Sequence, residues 1–257
     1  MIAASNYHVL EMKINPVEHE QVLHQMDIWV KDQVRGRYVM VANTHSVMEC
    51  HNNPDYEKIA QEADLIIPDG MPLVVIGRYR GFRLKQRADG PGLMLKAMRI
   101  SAEKGWRHYF YGGTPETLAL LLKRLRASWP DVQIAGSYSP PFRPLRNEED
   151  ENTVTLINNS HADVLWVGLG CPKQEIWMWE HQKKLNVPVM VGVGQAFDLF
   201  AGVKKRAPTW MCNLGLEWLY RLISEPRRVW KRYIINNPWF VCLFLMEEIR
   251  LRIRKIV

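Results

Sequence analysis

Short apolar, β-branched runs recur along the chain, and most are followed by a stretch whose apolar residues return every three or four positions. Residues 38–43, 63–68, 108–111, 132–135, 164–167 and 187–193 have the near-continuous apolar character of strands covered on both faces. Residues 92–103, 115–128, 148–159 and 174–185 carry the helical period between them. Strands alternating with helices predict parallel βαβ units, and so a doubly wound, Rossmann-like α/β fold of parallel sheets flanked by helices. Ligands in such a fold bind beyond the carboxyl ends of the strands. After Gly202 the pattern changes: Lys204-Lys205-Arg206-Ala207-Pro208 leads into helical stretches interrupted at Pro226 and near Pro238. Two units are therefore expected, an α/β body over 1–202 and a basic helical appendage over 203–257.

Small or polar residues stand at five of the predicted strand ends. These are Asn43-Thr44-His45, Pro68-Asp69-Gly70, Gly112-Gly113-Thr114, Gly168-Leu169-Gly170 and Gly192-Val193-Gly194-Gln195. Turn chemistry alone explains any one of them. Five together predict a binding crevice. Thr114 as N-cap, with Pro115 at the first helical position, would present free N–H groups to a phosphate. Gly168-x-Gly170 and Gly192-x-Gly194 have Lys173 and Phe197 where a dinucleotide fingerprint has its third glycine. They read instead as close backbone approaches to a nucleotide diphosphate or a sugar. With no GxxxxGK[ST] loop either, a dehydrogenase or a kinase on this fold is disfavoured. Asp69 closes an apolar strand, where partial desolvation lifts a carboxylate toward the range of a general base. Capping of the following turn is its plain structural alternative.

Charge sharpens the division into two units. The formal net charge is +7, yet 204–257 alone holds twelve Lys or Arg against four Glu, leaving the rest of the chain near neutrality. Within that block Arg221, Arg227, Arg228, Lys231 and Arg232 suit phosphate oxygens. The sequence has no DxD pair, so arginines would neutralise a departing diphosphate where other enzymes use a metal. A solvated basic face, or a patch for anionic lipid, is the alternative. The run 239–246 is apolar for eight residues, against the roughly 20 that a spanning helix needs. Followed by Arg250, Arg252, Arg254 and Lys255, it reads as a segment lying on a membrane. Docking on its own domain or on a neighbouring subunit is the competing use. Cys50, Cys171, Cys212 and Cys242 form no CxxC pair, which fits a reducing cytoplasm. No signal peptide and no nucleic-acid-binding motif is read. The ten Trp and nine Tyr fit an aromatic core, with sugar pockets or membrane interfaces as further uses.

Several longer stretches resemble the WecG/TagA/CpsF family of bacterial glycosyltransferases across roughly 39–233. They are Ala63-Asp-Leu-Ile-Ile-Pro-Asp-Gly70, Gly168-Leu-Gly-Cys-Pro-Lys-Gln-Glu175, Gly192-Val-Gly-Gln-Ala-Phe-Asp198, Lys205-Arg-Ala-Pro208, Gly215-Leu-Glu-Trp-Leu-Tyr-Arg-Leu222 and Glu225-Pro-Arg-Arg228. The resemblance implies an inverting, metal-independent transfer from a UDP-sugar to a polyprenyl-diphosphate-linked sugar, for cell-surface polysaccharide or teichoic acid synthesis. It implies no cofactor, Asp69 as general base, and Gln174, Arg221 and Arg228 as catalytic residues. Asn43 and Arg87 match pocket positions, Asp198 the nucleotide side, and Lys231 or Arg232 a further arginine of the family. With Thr44, Gly112, Gly113, Gly168, Gly170 and Gln195 from the strand ends, these make up the expected substrate site. Two departures concern the sugar pocket. Val41 stands where members often carry Thr, with Thr44 as its substitute, and Gly90-Pro91-Gly92 is read as lacking the acid of a Gly-x-Asp that usually follows the arginine. N-acetylmannosamine is the favoured sugar, with glucose or a uronic acid as the alternative. A non-catalytic nucleotide-binding protein of the membrane surface is the alternative of another class. The implied location is cytoplasmic and peripheral, on the anionic inner face of the bacterial plasma membrane, with homo-oligomerisation open.

Overall fold

The computed structural model describes residues 6–253, except for the side chains of Thr209 and Asn213. Arg254 and Lys255, counted above with the basic end of the chain, lie outside the described residues.

The chain opens with an antiparallel hairpin, β1 (Tyr7–Val9) and β2 (Met12–Ile14), then α1 (His19–Lys31). The body continues through β3 (Arg37–Ala42), α2 (Thr44–Asn52), α3 (Pro54–Glu62), β4 (Leu65–Pro68), α4 (Met71–Tyr79) and α5 (Gly90–Lys104). Next come β5 (Arg107–Gly112), α6 (Pro115–Ser128), β6 (Gln133–Tyr138), α7 (Asn147–Asn159), β7 (Val164–Gly168), α8 (Lys173–His181), β8 (Val189–Gly192) and α9 (Ala196–Ala201). All six expected strands are present, in one parallel sheet. The helix expected over 174–185 stops at His181, and the hairpin, α1–α4 and α9 are additions to the expected pattern.

The sheet runs β4-β3-β8-β7-β5-β6. Two βαβ pairs, β3/β4 and β5/β6, grow outward, and the later strands β7 and β8 fill the gap between them. All pairings are parallel, so every carboxyl end lies on one edge. Alternate residues feed two separate cores, as the pleat requires. Tyr38, Met40 and Ala42 of β3 pack with Leu165 and Val167 of β7 on one face. Val39 and Val41 pack with Val164 and Trp166 on the other.

Beyond Gly202 the chain forms α10 (Thr209–Asn213), α11 (Glu217–Ser224), α12 (Pro226–Trp230), a π-helical segment (Lys231–Asn236) and α13 (Asn237–Ile253). Pro238 has no N–H to give to the ladder, and the wider turn accompanies it. This tail is docked on the body. Phe240 of α13 is 3% exposed within the first core, with Leu243 and Phe244 packed beside it. Arg80 pairs with Glu248, and Glu247 accepts from the Leu10 N–H at 3.4 Å.

His108 of β5 shows how the sheet settles a buried titratable group. Trp166 Nε1 donates to Nδ1 at 3.0 Å, so the ring proton sits on Nε2, which donates to Ser101 Oγ at 2.6 Å. Ser101 donates onward to the Ala97 carbonyl. Protonation would destroy the acceptor that Trp166 uses, and burial pushes the ring down from 6.5 to about 3. The unfolded chain takes up this proton below 6.5 and the folded chain only near 3, so stability is lost as pH drops through that window. His108→Gln is expected to be less stable at neutral pH, with a stability-against-pH slope shallower by up to roughly 1.4 kcal/mol per pH unit between 4 and 6. Urea unfolding at a series of pH values measures both.

Candidate functional site

The five polar strand ends do meet on one edge. Two of their glycines have a packing reason. Gly112 has φ +118°, and a Cβ there would lie 2.7 Å from the Gly168 carbonyl group; a Cβ on Gly168 would meet the Phe197 ring at 2.7 Å. Gly113 and Gly170 take positive φ of 69° and 80°, and the space around Gly170 is open.

Across this edge the segment after Gly202 folds back to enclose two cavities. The larger, about 330 Å³, is lined by Gln195, Lys204, Lys205, Arg206, Tyr220 and Glu225 among others. The smaller, about 90 Å³, holds Asn43, Thr44, Asp69, Arg87, Arg232 and Tyr233. Glu217 and Arg221 line both. The strand-end carboxylate thus belongs to the smaller cavity, and the larger one opens beside it.

Asp69 follows β4, its N–H bonded to the Ala42 carbonyl at 2.8 Å, and its side chain is only partly exposed to the cleft. Burial pushes its carboxyl up to about 6; Arg87 pulls down, Asp89 and Glu217 push up, and Arg221 pulls down. Glu217 of α11 joins the two arginines. It accepts from Arg87 at 2.6 Å and from Arg221 at 2.5 Å. Burial opposes ionisation of Glu217, yet the paired arginines hold its carboxyl below the usual value. Asp89, at the residue preceding α5, is a second hub, paired with Arg206, 3.4 Å from His19 Nε2 and 3.8 Å from Arg87. On the other side Arg232 of the π-helical segment reaches Asn43 Oδ1 at 3.4 Å. That oxygen also accepts from the His45 N–H at 3.0 Å, at the start of α2. Thr44 donates to Asn237 at 3.0 Å. The Arg232–Asn43 and Thr44–Asn237 contacts tie the tail to a strand end of the body.

Gln174 sits behind this edge, 3% exposed. Its Oε1 accepts from the Gly170 and Gly194 N–H groups at 3.1 and 2.9 Å, which fixes the amide orientation. Its Nε2 must then donate, and does so to Glu175 Oε1 at 2.8 Å. Glu175 is fully enclosed, its Oε2 accepts no hydrogen bond among the described residues, and burial pushes its carboxyl up to about 7. The pair clamps the loops after β7 and β8 together.

The structure thus brings Asp69, Asn43, Thr44, Arg87, Arg221 and Arg232 into one cleft. Gln195 lines the larger cavity and donates to Glu225 at 3.1 Å. Asp198 is nearby, paired with Lys204 at 2.9 Å. Arg228 lines neither cavity; it is exposed and paired with Glu225 at 2.8 Å. Between the two candidates for one arginine position, Arg232 enters the cleft, while Lys231 is exposed over the Trp230 ring. Sequence reading missed Glu217, Glu175 and Arg206, although all three lie inside the quoted motifs. It also passed over Asp89, two residues after Arg87 and ahead of the Gly90-Pro91-Gly92 turn, whose ion pairs set it beside the arginines.

Comparison with known proteins gives the family. A model of the glycosyl transferase WecG/TagA/CpsF family matches residues 7–254. An N-acetylglucosaminyldiphosphoundecaprenol N-acetyl-beta-D-mannosaminyltransferase of Bacillus spizizenii is 32% identical over 217 residues, covering 84% of this chain and 82% of the relative. A Bacillus subtilis protein of the same name is 30% identical over 218 residues, with 84% and 82% covered.

A carboxyl held at about 6 when folded and near 3.8 when unfolded contributes stability only at low pH, and that contribution is lost as pH rises through 6. Asp69→Asn is therefore expected to raise the melting temperature above pH 6, with the gain shrinking toward pH 4. Thermal unfolding across that range checks it; a lower melting temperature at pH 7 would show that Asp69 supports the fold.

Proposed function

The chain belongs to the WecG/TagA/CpsF family of glycosyltransferases, and on that premise we propose that it moves N-acetylmannosamine from a UDP-sugar to a GlcNAc-diphosphoundecaprenol acceptor. Donor class and acceptor follow the family resemblance and the names of the two Bacillus relatives. Those names favour N-acetylmannosamine over glucose or a uronic acid. The observation that carries the reading is Asp69: a half-buried carboxylate at a strand end, raised to about 6, beside Arg87 and Arg221 and next to a cavity of about 330 Å³.

In this reading the larger cavity takes the nucleotide diphosphate, with Gln195, Lys204, Lys205 and Arg206 around it. The acceptor hydroxyl lies in the smaller cavity, and Asp69 removes its proton. The oxygen attacks the anomeric carbon from the face opposite the diphosphate, inverting configuration. The bond to the UDP oxygen breaks and its electron pair leaves with UDP. Arg221, shared by the two cavities, meets the charge that develops there. Arginine keeps its charge at any working pH and needs no proton transfer for this role, so the transfer is proposed to proceed without a metal. The clamp made by Gln174 and Glu175 holds the loops at the cleft floor.

The acceptor's lipid places the enzyme at the membrane surface in this proposal. Among the described residues no helix is long and apolar enough to cross a membrane. On α13, Trp239, Val241, Leu245, Met246, Ile249 and Ile253 are exposed, whereas Glu247 and Glu248 turn inward to the body. An outward face of apolar and cationic residues suits the inner leaflet.

A screen of UDP-sugars against a short-chain lipid-diphosphate-GlcNAc acceptor, read by mass spectrometry, tests the reaction. Asp69→Asn is expected to leave UDP binding nearly intact and to lower turnover by about 10²–10⁴-fold. The free-enzyme base must be ionised, so kcat/KM in the parent protein should rise with pH through about 6. That acid limb should vanish in the variant; near-normal turnover would remove Asp69 from the base role.

A further inference from the structure

The C-terminal segment is not the only cationic surface. Residues 78–87, Arg-Tyr-Arg-Gly-Phe-Arg-Leu-Lys-Gln-Arg, hold five cations and no carboxylate, at the end of α4 and in the loop after it. Sequence-wide charge bookkeeping hides this run, because acids elsewhere in the body cancel it. The loop is firmly held. Leu84 is buried, Phe82 packs against Tyr7 with ring centroids 5.6 Å apart, and Arg78 bonds the Leu84 and Lys85 carbonyls at 2.7 Å each. Apolar residues therefore point in at 82 and 84, and cations point out at 83 and 85. Among the described residues neither the Arg83 nor the Lys85 side chain has an ion-pair partner, and Glu18 accepts from the Lys85 backbone N–H at 2.6 Å. Carbonyl bonds leave the charge of Arg78 unneutralised. Val75 and Tyr79 of α4 are 54% and 56% exposed alongside.

This patch is continuous with α13. Arg252 donates to Tyr79 Oη at 2.8 Å, and Arg80 pairs with Glu248. We propose that the Val75–Lys85 region of the α/β body is a second membrane-contact surface, binding anionic lipid headgroups through Arg78, Arg83 and Lys85 with Val75 and Tyr79 at the apolar boundary. Cations beside exposed apolar side chains match an anionic bilayer interface, and residues 75–85 carry no carboxylate of their own for a basic partner. Lys85 is two residues from Arg87, which lines the cleft, so the contact sets the mouth of the smaller cavity against the leaflet that carries the acceptor. The inference rests on the reading of a lipid-borne acceptor.

The test is sedimentation of the full chain with vesicles of phosphatidylcholine containing about one-third phosphatidylglycerol, beside vesicles of phosphatidylcholine alone. Each cation near an anionic surface contributes about fivefold to partitioning, so Arg83→Gln/Lys85→Gln should weaken binding by roughly 25-fold at low salt. The effect should disappear on neutral vesicles and shrink at high salt. Lys123→Gln/Arg126→Gln on α6, the same charge change beside the opposite edge of the sheet, should bind as the parent does. Parent-like binding by Arg83→Gln/Lys85→Gln, or an equal loss in the α6 control, overturns the proposal. Should the double variant melt early, Arg83→Gln and Val75→Ser separately probe the charged and the apolar half, and parent-like binding by both overturns it. Turnover with the short-chain acceptor is expected to be unchanged in Arg83→Gln/Lys85→Gln. Absence of turnover in the parent would sink the transfer reaction and leave the vesicle result standing.

Discussion

One carboxylate between two guanidinium groups holds the two parts of the molecule in register. Glu217 belongs to the tail and Arg87 to the body, and their 2.6 Å contact bridges 130 residues of sequence; Arg221 closes the triad at 2.5 Å. Removing charges from water this deeply is costly, and the attraction offsets that cost only where geometry is good. Losing one partner would strand the others, typically at about 3–5 kcal/mol. The triad also forms part of the wall shared by the two cavities, so the contact that seats the tail also shapes the site. Asp69 feels it directly: Arg87 and Arg221 pull its carboxyl down and Glu217 pushes it up, against the larger effect of burial.

This arrangement explains why the site is assembled from both ends of the chain. The carboxyl edge of a parallel sheet supplies turns, capping groups and one well-placed acid, but few cations: the strand-end residues that line the smaller cavity are Asn43, Thr44, Asp69 and Gly70. Positive charge at this edge comes from other parts of the chain. Arg87 comes from the loop after α4, Arg206 from the start of the tail, Arg221 from α11 and Arg232 from the π-helical segment. Each is matched to an oxygen already on the body or on the tail itself, which limits the repulsion among them.

What the sequence revealed follows from the range of each interaction. The six parallel strands were legible because strands buried on both faces leave long apolar runs. The hairpin was not: Tyr7–Val9 and Met12–Ile14 are three residues each, too short for a period to show. Helix α4 reads Met-Pro-Leu-Val-Val-Ile-Gly-Arg-Tyr, an apolar block that by itself resembles a strand, and α2 and α3 span nine residues each. Asp69 and Asn43 could be singled out because a polar residue ending an apolar run is a local signal. Glu217 and Asp89 could not, since their partners lie up to 130 residues away and only the fold makes them neighbours.

The uneven charge of the chain takes on a different meaning once these pairs are known. Counted along the sequence, the excess cations after Gly202 suggest a single basic patch. In space they divide. Arg206, Arg221 and Arg232 are committed to Asp89, Glu217 and Asn43, beside the two cavities. Lys231, Arg227, Arg228 and Arg250 remain exposed. Meanwhile Glu247 and Glu248, the only acids of α13, are drawn inward by contacts with the body, which strips negative charge from its outer face. A helix that sends its carboxylates toward its own domain and keeps its apolar and cationic residues outside is poorly suited to solvent alone. The same inward pairs that anchor α13 thereby define what its outer face can bind, so docking of the tail and choice of surface follow from one set of contacts.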